Sequence, residues 1–313
     1  MTVNRANMEA FFQTLSVKFN AGMAAAAPDV PNLLKVEELA MLFPVSGSGT
    51  VHGWLNQVPG MKEWVGDRMI KLLGLGKLEV TNRDFESTVE VPRNDIEDDN
   101  YGVYGNLAQS MGASADRLWI QLALQALLAN SNWADGNPFF CQNRKLGDNG
   151  GVITNVTTAA LTTAAVEAGL AAMLAWTLHE GQNAEVTPRT LVVGPSLLAT
   201  AKQIIEALLI SDGTATVSNV STATMLKARY DSRLIGEHAG KWYIMAEKDG
   251  IQPVAVQQRK KPVFTALDKD TDANVFMQNK FLYGTDARGE GFTTLPFLAY
   301  AGGFAAGDIA DAG

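Results

Sequence analysis

The 313-residue sequence is poor in the residues that carry chemistry. It has one cysteine, Cys141, and three histidines, His52, His179 and His238. A single cysteine excludes an internal disulfide and any cysteine-rich metal site, which suits a reducing compartment and leaves Cys141 as a packing residue. The histidines stand singly, without the spacing of a zinc-binding helix, and read as surface or capping groups. Apolar runs are short too: none approaches the ~18 residues of a membrane span. The opening MTVNRANMEAFFQ lacks the basic region and apolar stretch of a cleaved export signal, so the chain reads as soluble, with no membrane partner. Positive charge is also scarce. Lys and Arg total 25 against 33 Asp and Glu, a net charge of −8. Non-specific nucleic-acid binding needs a basic stripe to displace counterions, and the longest basic run, Arg259, Lys260 and Lys261, reads as a solvated strand end.

Known catalytic patterns fail one after another. Gly76-Lys77 is followed by Leu78 and lacks the upstream spacing of a phosphate-binding loop. SGSGT and GLG are too short for a dinucleotide fingerprint. GPSLL has no second glycine of a nucleophile elbow, so Ser196 reads as a helix N-cap. Asp268, Asp270 and Asp272 begin like a calcium loop, but Ala273 and Asn279 stand where such a loop needs Gly and Glu, leaving a turn. The acidic IEDDN at 96–100 is accounted for by helix-end electrostatics. The glycosylation patterns at 155–157 and 219–221 carry no meaning without an export signal. No catalytic, cofactor-binding or metal-ligating set is predicted, and no cofactor.

Apolar content is ample, 47% of residues, and the length suggests two domains or one with a large insertion. Met8, Phe11, Phe12, Leu15 and Phe19 recur at helical spacing and predict an amphipathic first helix. Residues 28–45, punctuated by Pro28 and Pro31, suit an extended arm. Phe85, Val89 and Val91 alternate in a half-exposed strand ended by Pro92, and residues 46–93 together read as a long hairpin-like excursion without its own core. Val103, Leu107, Met111, Leu118, Leu122, Gln125 and Ala129 predict one long helix, eased at Gly112. An Ala-rich helix is expected from Thr157 to His179. PRTLVVGPSLLATAKQII reads as a buried strand, a turn at Gly194-Pro195 and a helix. Later segments alternate like strands, giving a mixed α+β class with its β material mostly late.

HGWLNQVPGMKEWVGDRM, residues 52–69, is the odd stretch. It sets Trp54 and Trp64 among glycines, a proline and charges, where neither a helical nor a strand period covers both rings. Large apolar side chains that cannot be buried locally usually mark contacts between subunits.

That stretch, with DFESTVEVPRNDIEDDNYGVY, GNPFF and PRTLVVGPSLLATAKQII in the same order, resembles the major head subunits of Mu-like phages and prophages, which have the HK97-type capsid fold. The likeness covers roughly residues 50–210, with a looser one in RYDSRLI, KWYIMAE and the final strands. It implies an N-terminal arm (1–45), an extended loop lying across a neighbouring subunit (46–93), a peripheral domain with a long spine helix (94–150 and 266–313) and an axial domain (151–265). It further implies a non-enzymatic structural protein, self-assembling through hexameric and pentameric capsomers into an icosahedral shell around double-stranded DNA bound without sequence specificity. Portal protein and possible scaffold or decoration proteins would be partners. The virion, and the host bacterial cytoplasm during assembly, would be its location. Trp54, Trp64, Asp67 and Arg68 are the expected intersubunit contacts. Small residues in the Ala-rich helix would allow close approach near the capsomer axis. The alternatives are an encapsulin-like shell and, in another class, a soluble oligomeric α/β enzyme with an unrecognised site.

Overall fold

The computed structural model describes residues 5–25, 30–47, 49–55, 75–97, 101–145, 151–178, 182–206, 209–211, 216–218, 222–269 and 272–313. From the N-terminus the order is α1 (Arg5–Ala25), α2 (Val36–Leu39), β1 (Ala40–Pro44), β2 (Gly49–Leu55), β3 (Leu75–Thr81), β4 (Arg83–Pro92), α3 (Arg93–Glu97) and α4 (Tyr101–Leu128). Short strands β5 (Cys141–Gln142), β6 (Arg144–Lys145) and β7 (Val152–Ile153) lead to α5 (Thr163–Ala175), β8 (Thr187–Val193) and α6 (Leu198–Glu206). There follow β9 (Leu209–Ser211), β10 (Thr216–Ser218), β11 (Lys227–Tyr230), β12 (Trp242–Glu247), β13 (Val254–Leu267), α7 (Ala273–Gln278), β14 (Lys280–Thr293), β15 (Ala299–Gly302) and β16 (Ala310–Asp311).

Two four-stranded sheets organise the chain. The first has the order β1-β13-β14-β4, with β1 parallel to β13 and the rest antiparallel. Strand alternation shows in β14, where Phe281, Tyr283, Thr285 and Ala287 are buried between less buried neighbours. Helix α1 covers one end of this inner face: Met8, Phe11, Leu15 and Phe19 are buried at helical spacing, and Phe12 and Phe19 stack on Phe264. The opposite face carries cross-strand ion pairs, Lys280–Glu90 at 2.7 Å and Arg288–Asp84 at 3.1 Å, which at such exposure contribute ~0–1 kcal/mol each.

The long helix forms as expected, but its buried stripe differs. Val103 and Leu107 are exposed, as are Gln125 and Ala129, while Gly105, Ala108, Met111, Gly112, Trp119, Leu122, Ala123 and Leu127 face inward. The reason is close approach. A Cβ on Gly112 would lie 2.0 Å from the Phe19 carbonyl oxygen, and one on Gly22 would lie 2.0 Å from that of Gln109. Gly112 therefore does not ease the helix; it is half of a reciprocal glycine crossing between α1 and α4.

Residues 30–44 are not a free arm. Leu34 N–H donates to the Tyr230 carbonyl at 2.9 Å, Leu39 is fully buried, and β1 runs in parallel register with β13 from Ala40↔Val254 to Pro44↔Gln258. Their apolar residues follow neither a helical nor a strand period, yet Leu34, Leu39 and Ala40 are buried in a core built with elements far along the chain. The segments expected as separate late strands around QPVAVQQR and VFTALDK form one strand, β13, whose register shifts twice between Gln258 and Val263. Pro262, which has no N–H to give the ladder, sits inside that irregularity. The Arg259-Lys260-Lys261 triplet is thus mid-strand, exposed at the bulge, with Lys260 paired to Asp286.

The second sheet has the order β11-β8-β12-β15. Central β12 is buried on both faces, which explains its continuous apolar text. One face meets α5, where a Cβ on Gly169 would come within 2.9 Å of the Tyr300 ring. Gly169 thus serves packing inside the subunit, whereas Ala164, Ala168, Ala171 and Ala175 are exposed. On the other face Tyr243 meets Phe140 at 5.7 Å and Phe304 at 6.5 Å between ring centres. Helix α5 begins at Thr163, not Thr157, because the Thr162 hydroxyl caps it by accepting from Ala165 N–H, and Thr157 N–H pairs with the Ala301 carbonyl. Strand β8, the Gly194-Pro195 turn and α6 fall where expected, but Ser196 is no cap: its hydroxyl donates to the Ala239 carbonyl at 3.1 Å.

The turn-rich segment after α4 is a buried staple. Arg144, 1% exposed, pairs with Asp135 at 2.6 Å and lies over Trp133. Asn155 holds the same region with Nδ2 on the Phe139 and Pro296 carbonyls, and its Oδ1 accepts from Cys141 N–H. Cys141 is a buried packing residue, its thiol pushed up by burial.

Candidate intersubunit hairpin

Strands β2 and β3 pair antiparallel from Gly49↔Thr81 to Leu55↔Leu75. Thr50, Val51, Val80 and Thr81 supply the β-branched residues that favour this state near the base. The base is anchored, and everything about the anchoring is tertiary. Val80 is buried against Ala255 and Phe292, with Met41, Phe43 and Leu78 around them; Phe43 meets Phe292 edge-to-face at 5.9 Å.

A polar latch adds to this small core. Gln257 on β13 is fully buried, and its Nε2 donates to the Val80 carbonyl at 3.1 Å and to Asn82 Oδ1 at 2.8 Å. Asn82 Nδ2 in turn donates to the Gly47 carbonyl at 3.1 Å. The chain entering the hairpin and the chain leaving it are thus tied to one side chain of the first sheet. Immediately beyond, Arg83 forms a two-pronged contact with Glu290, one arm at 2.8 Å, and lies over Phe85 at 5.5 Å. The Glu290 hydrogen bond raises the Arg83 pKa above its usual value. Strand β4 then leaves the hairpin altogether and joins β14 along Arg83–Pro92. The half-exposed alternation read from Phe85, Val89 and Val91 is correct, but its partner is the main sheet.

Of the expected contact residues, Trp54 is placed by its backbone, opposite Gly76 in the hairpin register. Trp64, Asp67 and Arg68 lie outside the described residues. The other four tryptophans, Trp119, Trp133, Trp176 and Trp242, are buried in the body. Sequence reading missed Gln257 and Asn82; the only signal was a glutamine inside the apolar run VAVQ.

The residues of the rejected chemical motifs make local contacts where they are described. Asp272 accepts from Lys269 N–H at 2.9 Å, as a turn residue does; Asp270 lies outside the described residues, as do Asp98 and Asp99. Asp95 accepts from the Tyr104 hydroxyl, and burial together with this contact pushes Tyr104 up to about 12. His238 stands 3.3 Å from Glu237, with burial and Lys241 lowering its imidazole; His179 and residues 219–221 are outside the described residues. Among the described residues no group of three or more His, Cys, Asp or Glu could hold a metal ion.

Two sheets flanked by a long helix, with a hairpin projecting from the base of one sheet, is the arrangement of HK97-type capsid subunits. The structure matches a chain of the bacteriophage JBD30 procapsid with a TM-score of 0.55 and 24% identity, covering 96% of this chain and 75% of that one. The chain therefore has the fold of those capsid subunits. The family model described as "Mu-like prophage major head subunit gpT" matches residues 8–159, 152–231 and 220–303. The chain belongs to that family and is a structural head protein rather than an enzyme. It is similar to the Mu-like prophage FluMu major head subunit of Haemophilus influenzae, 25% identical over 283 residues, covering 90% of this chain and 68% of that protein. It is equally similar to the major capsid protein of Escherichia phage Mu, 26% identical over 288 residues, covering 92% and 70%.

Proposed function

We propose that many copies of this subunit close into an icosahedral shell of hexameric and pentameric capsomers around double-stranded DNA, with the hairpin reaching onto a neighbouring subunit. The observation that carries this reading is the hairpin's attachment: Gln257, Asn82 and the Val80 cluster fix its base to the first sheet. A strand pair held at its base lacks enough apolar surface of its own to be stable alone. In this reading Trp54, Trp64, Asp67 and Arg68 make the intersubunit contact. DNA is enclosed without sequence-specific binding, in keeping with the net charge of −8. Portal protein, and scaffold or decoration proteins where used, meet the assembled subunits, and assembly takes place in the host bacterial cytoplasm.

The same reading assigns residues 1–45 to an N-terminal arm whose helix and strand dock on the peripheral sheet, and 46–93 to the extended loop, with its distal part in the hairpin. The spine helix is α4 in the peripheral domain, 94–150. The axial domain begins at 151. Its end is better set at the turn before Val254 than at 265, since β13 is one strand of the first sheet. Replacing Trp54 and Trp64 together by Ala tests the proposal. The subunit should keep its circular dichroism and denaturation midpoint while electron micrographs lose closed particles. A variant that unfolds would instead assign the two rings to the subunit's own core.

A further inference from the structure

The segment from Asn32 to Pro44 touches both sheets. At one end it lengthens the β11 edge of the second sheet: Leu33 bridges Tyr230 in parallel, Tyr230 N–H donates to the Asn32 carbonyl at 2.8 Å, and Leu34 N–H donates back to Tyr230. At the other end, β1 is the edge strand of the first sheet. Between them, Gln252, in the crossover from β12 to β13, donates to the Glu37 carbonyl at 2.8 Å. The segment is a strap across the junction of the two sheets.

Leu34, Leu39 and Ala40 are buried in the main core, while the side of the strap that carries Glu37 and Glu38 is open. A cavity of about 500 Å³ lies on one side, lined by Leu33 to Glu37, Asp116, Trp119 and Pro262 among others. A second of about 330 Å³ adjoins Glu37 and Glu38. On that open side the strap is held by an ion pair. Arg229 Nε donates to both Glu38 oxygens at 2.8 and 2.7 Å, and Nη2 donates to Oε1 at 2.7 Å. The two side chains are only 21% and 23% exposed, so solvent screens them weakly. Glu38 also accepts from Lys35 N–H at 3.3 Å, capping α2. One carboxylate therefore orders the strap internally and fastens it to β11.

We propose that Glu38 and Arg229 are the positioning pair that fixes the angle between the two sheets, and through it the curvature of the shell. The inference rests on the shell-forming reading above. Each sheet carries surfaces that meet different neighbours in a closed assembly, so a change of the angle between them redirects every contact and is repeated by symmetry. The clamp lies outside the packed core that buries Leu34 and Leu39, so it can be released without opening that core.

Glu38→Gln keeps the α2 cap, because glutamine serves at that position, and removes the charge. Arg229→Gln removes the fork. Unassembled subunits of either variant should keep their denaturation midpoint, but amide exchange at residues 32–44 should quicken about tenfold or more, and particles should show a broad spread of diameters or open tubes. A Leu33→Cys/Tyr230→Cys pair, placed at a bridged position, tests rescue: oxidised in the Glu38→Gln background it should restore one diameter, and reduction should abolish the effect. Single variants with the unaltered protein's diameter distribution, or an oxidised lock that does not narrow it, would overturn the proposal. If Glu38→Gln fails to fold, the cysteine pair alone, oxidised against reduced, carries the comparison. If the unaltered protein forms no closed particles, the shell reading fails, and amide exchange still decides whether the clamp holds the strap.

Discussion

Replacing Gly112 by Ala tests the helix crossing on which the first sheet's core depends. In a free helix the change is favourable by about 1 kcal/mol, since alanine is the better helix former. Here the new Cβ would sit 2.0 Å from the Phe19 carbonyl oxygen and 3.0 Å from the Met23 nitrogen, both backbone atoms that cannot rotate away. Ordinary contact begins near 3.4 Å, so α1 must lift by about 1.4 Å at this point. A radial gap of 0.5–1 Å already forfeits a quarter to a half of each dispersion contact. The contacts at risk are those of Phe11, Leu15 and Phe19, buried to 2%, 2% and 0% exposure. Overpacking usually costs 1–3 kcal/mol, and a backbone collision belongs at or above the top of that range. After subtracting the propensity gain, Gly112→Ala should destabilise the unassembled subunit by about 2–3 kcal/mol, read from urea unfolding at an unchanged slope. Gly22→Ala, 2.0 Å from the Gln109 oxygen, should cost a similar amount. The double variant should cost less than the sum, because one separation of the helices relieves both collisions. A Gly112→Ala subunit as stable as the unaltered one would refute the crossing.

Two further predictions concern the hairpin base and the cavity beneath the strap. Gln257→Leu leaves the Val80 carbonyl and the Asn82 side chain without their donor, so it should cost about 1–3 kcal/mol and speed amide exchange in residues 78–82; unchanged exchange there would show that the apolar cluster alone holds the hairpin. Burial raises the Asp116 carboxyl above its usual 3.8, with Glu37 adding to the shift. A raised carboxyl stabilises the fold when protonated and loses that contribution as pH rises through its folded value. Asp116→Asn should therefore raise the urea midpoint at about pH 8 and leave it unchanged at about pH 3, and a loss of stability at the higher pH would contradict the assignment.

The local elements were largely legible. Met8, Phe11, Leu15 and Phe19 announce α1, and the alternation of Phe85, Val89 and Val91 announces β4, because each period is carried by neighbours in the chain. Buried β8 and the Gly194-Pro195 turn were legible for the same reason. The errors fall where a distant partner overrides local text. Val103 and Leu107 looked like a core stripe, but the crossing glycines turn α4 so that small residues face α1. Thr157 looked helical, yet its N–H is taken by Ala301. Residues 28–45 read as an extended arm, and what docks 30–44 is Tyr230, Arg229 and β13.

What the sequence by itself determined is the kind of protein this is, through blocks in an order that resembles a head subunit, in an acidic and cysteine-poor chain with no recognised catalytic pattern. Only the tertiary structure decided how the subunit is held in shape. Gly22 meets Gln109, Gln257 reaches Val80 and Glu38 meets Arg229 across separations of about 87, 177 and 191 residues. A period in the sequence records which face of an element is buried, and it carries no information about which distant backbone or side chain lies opposite.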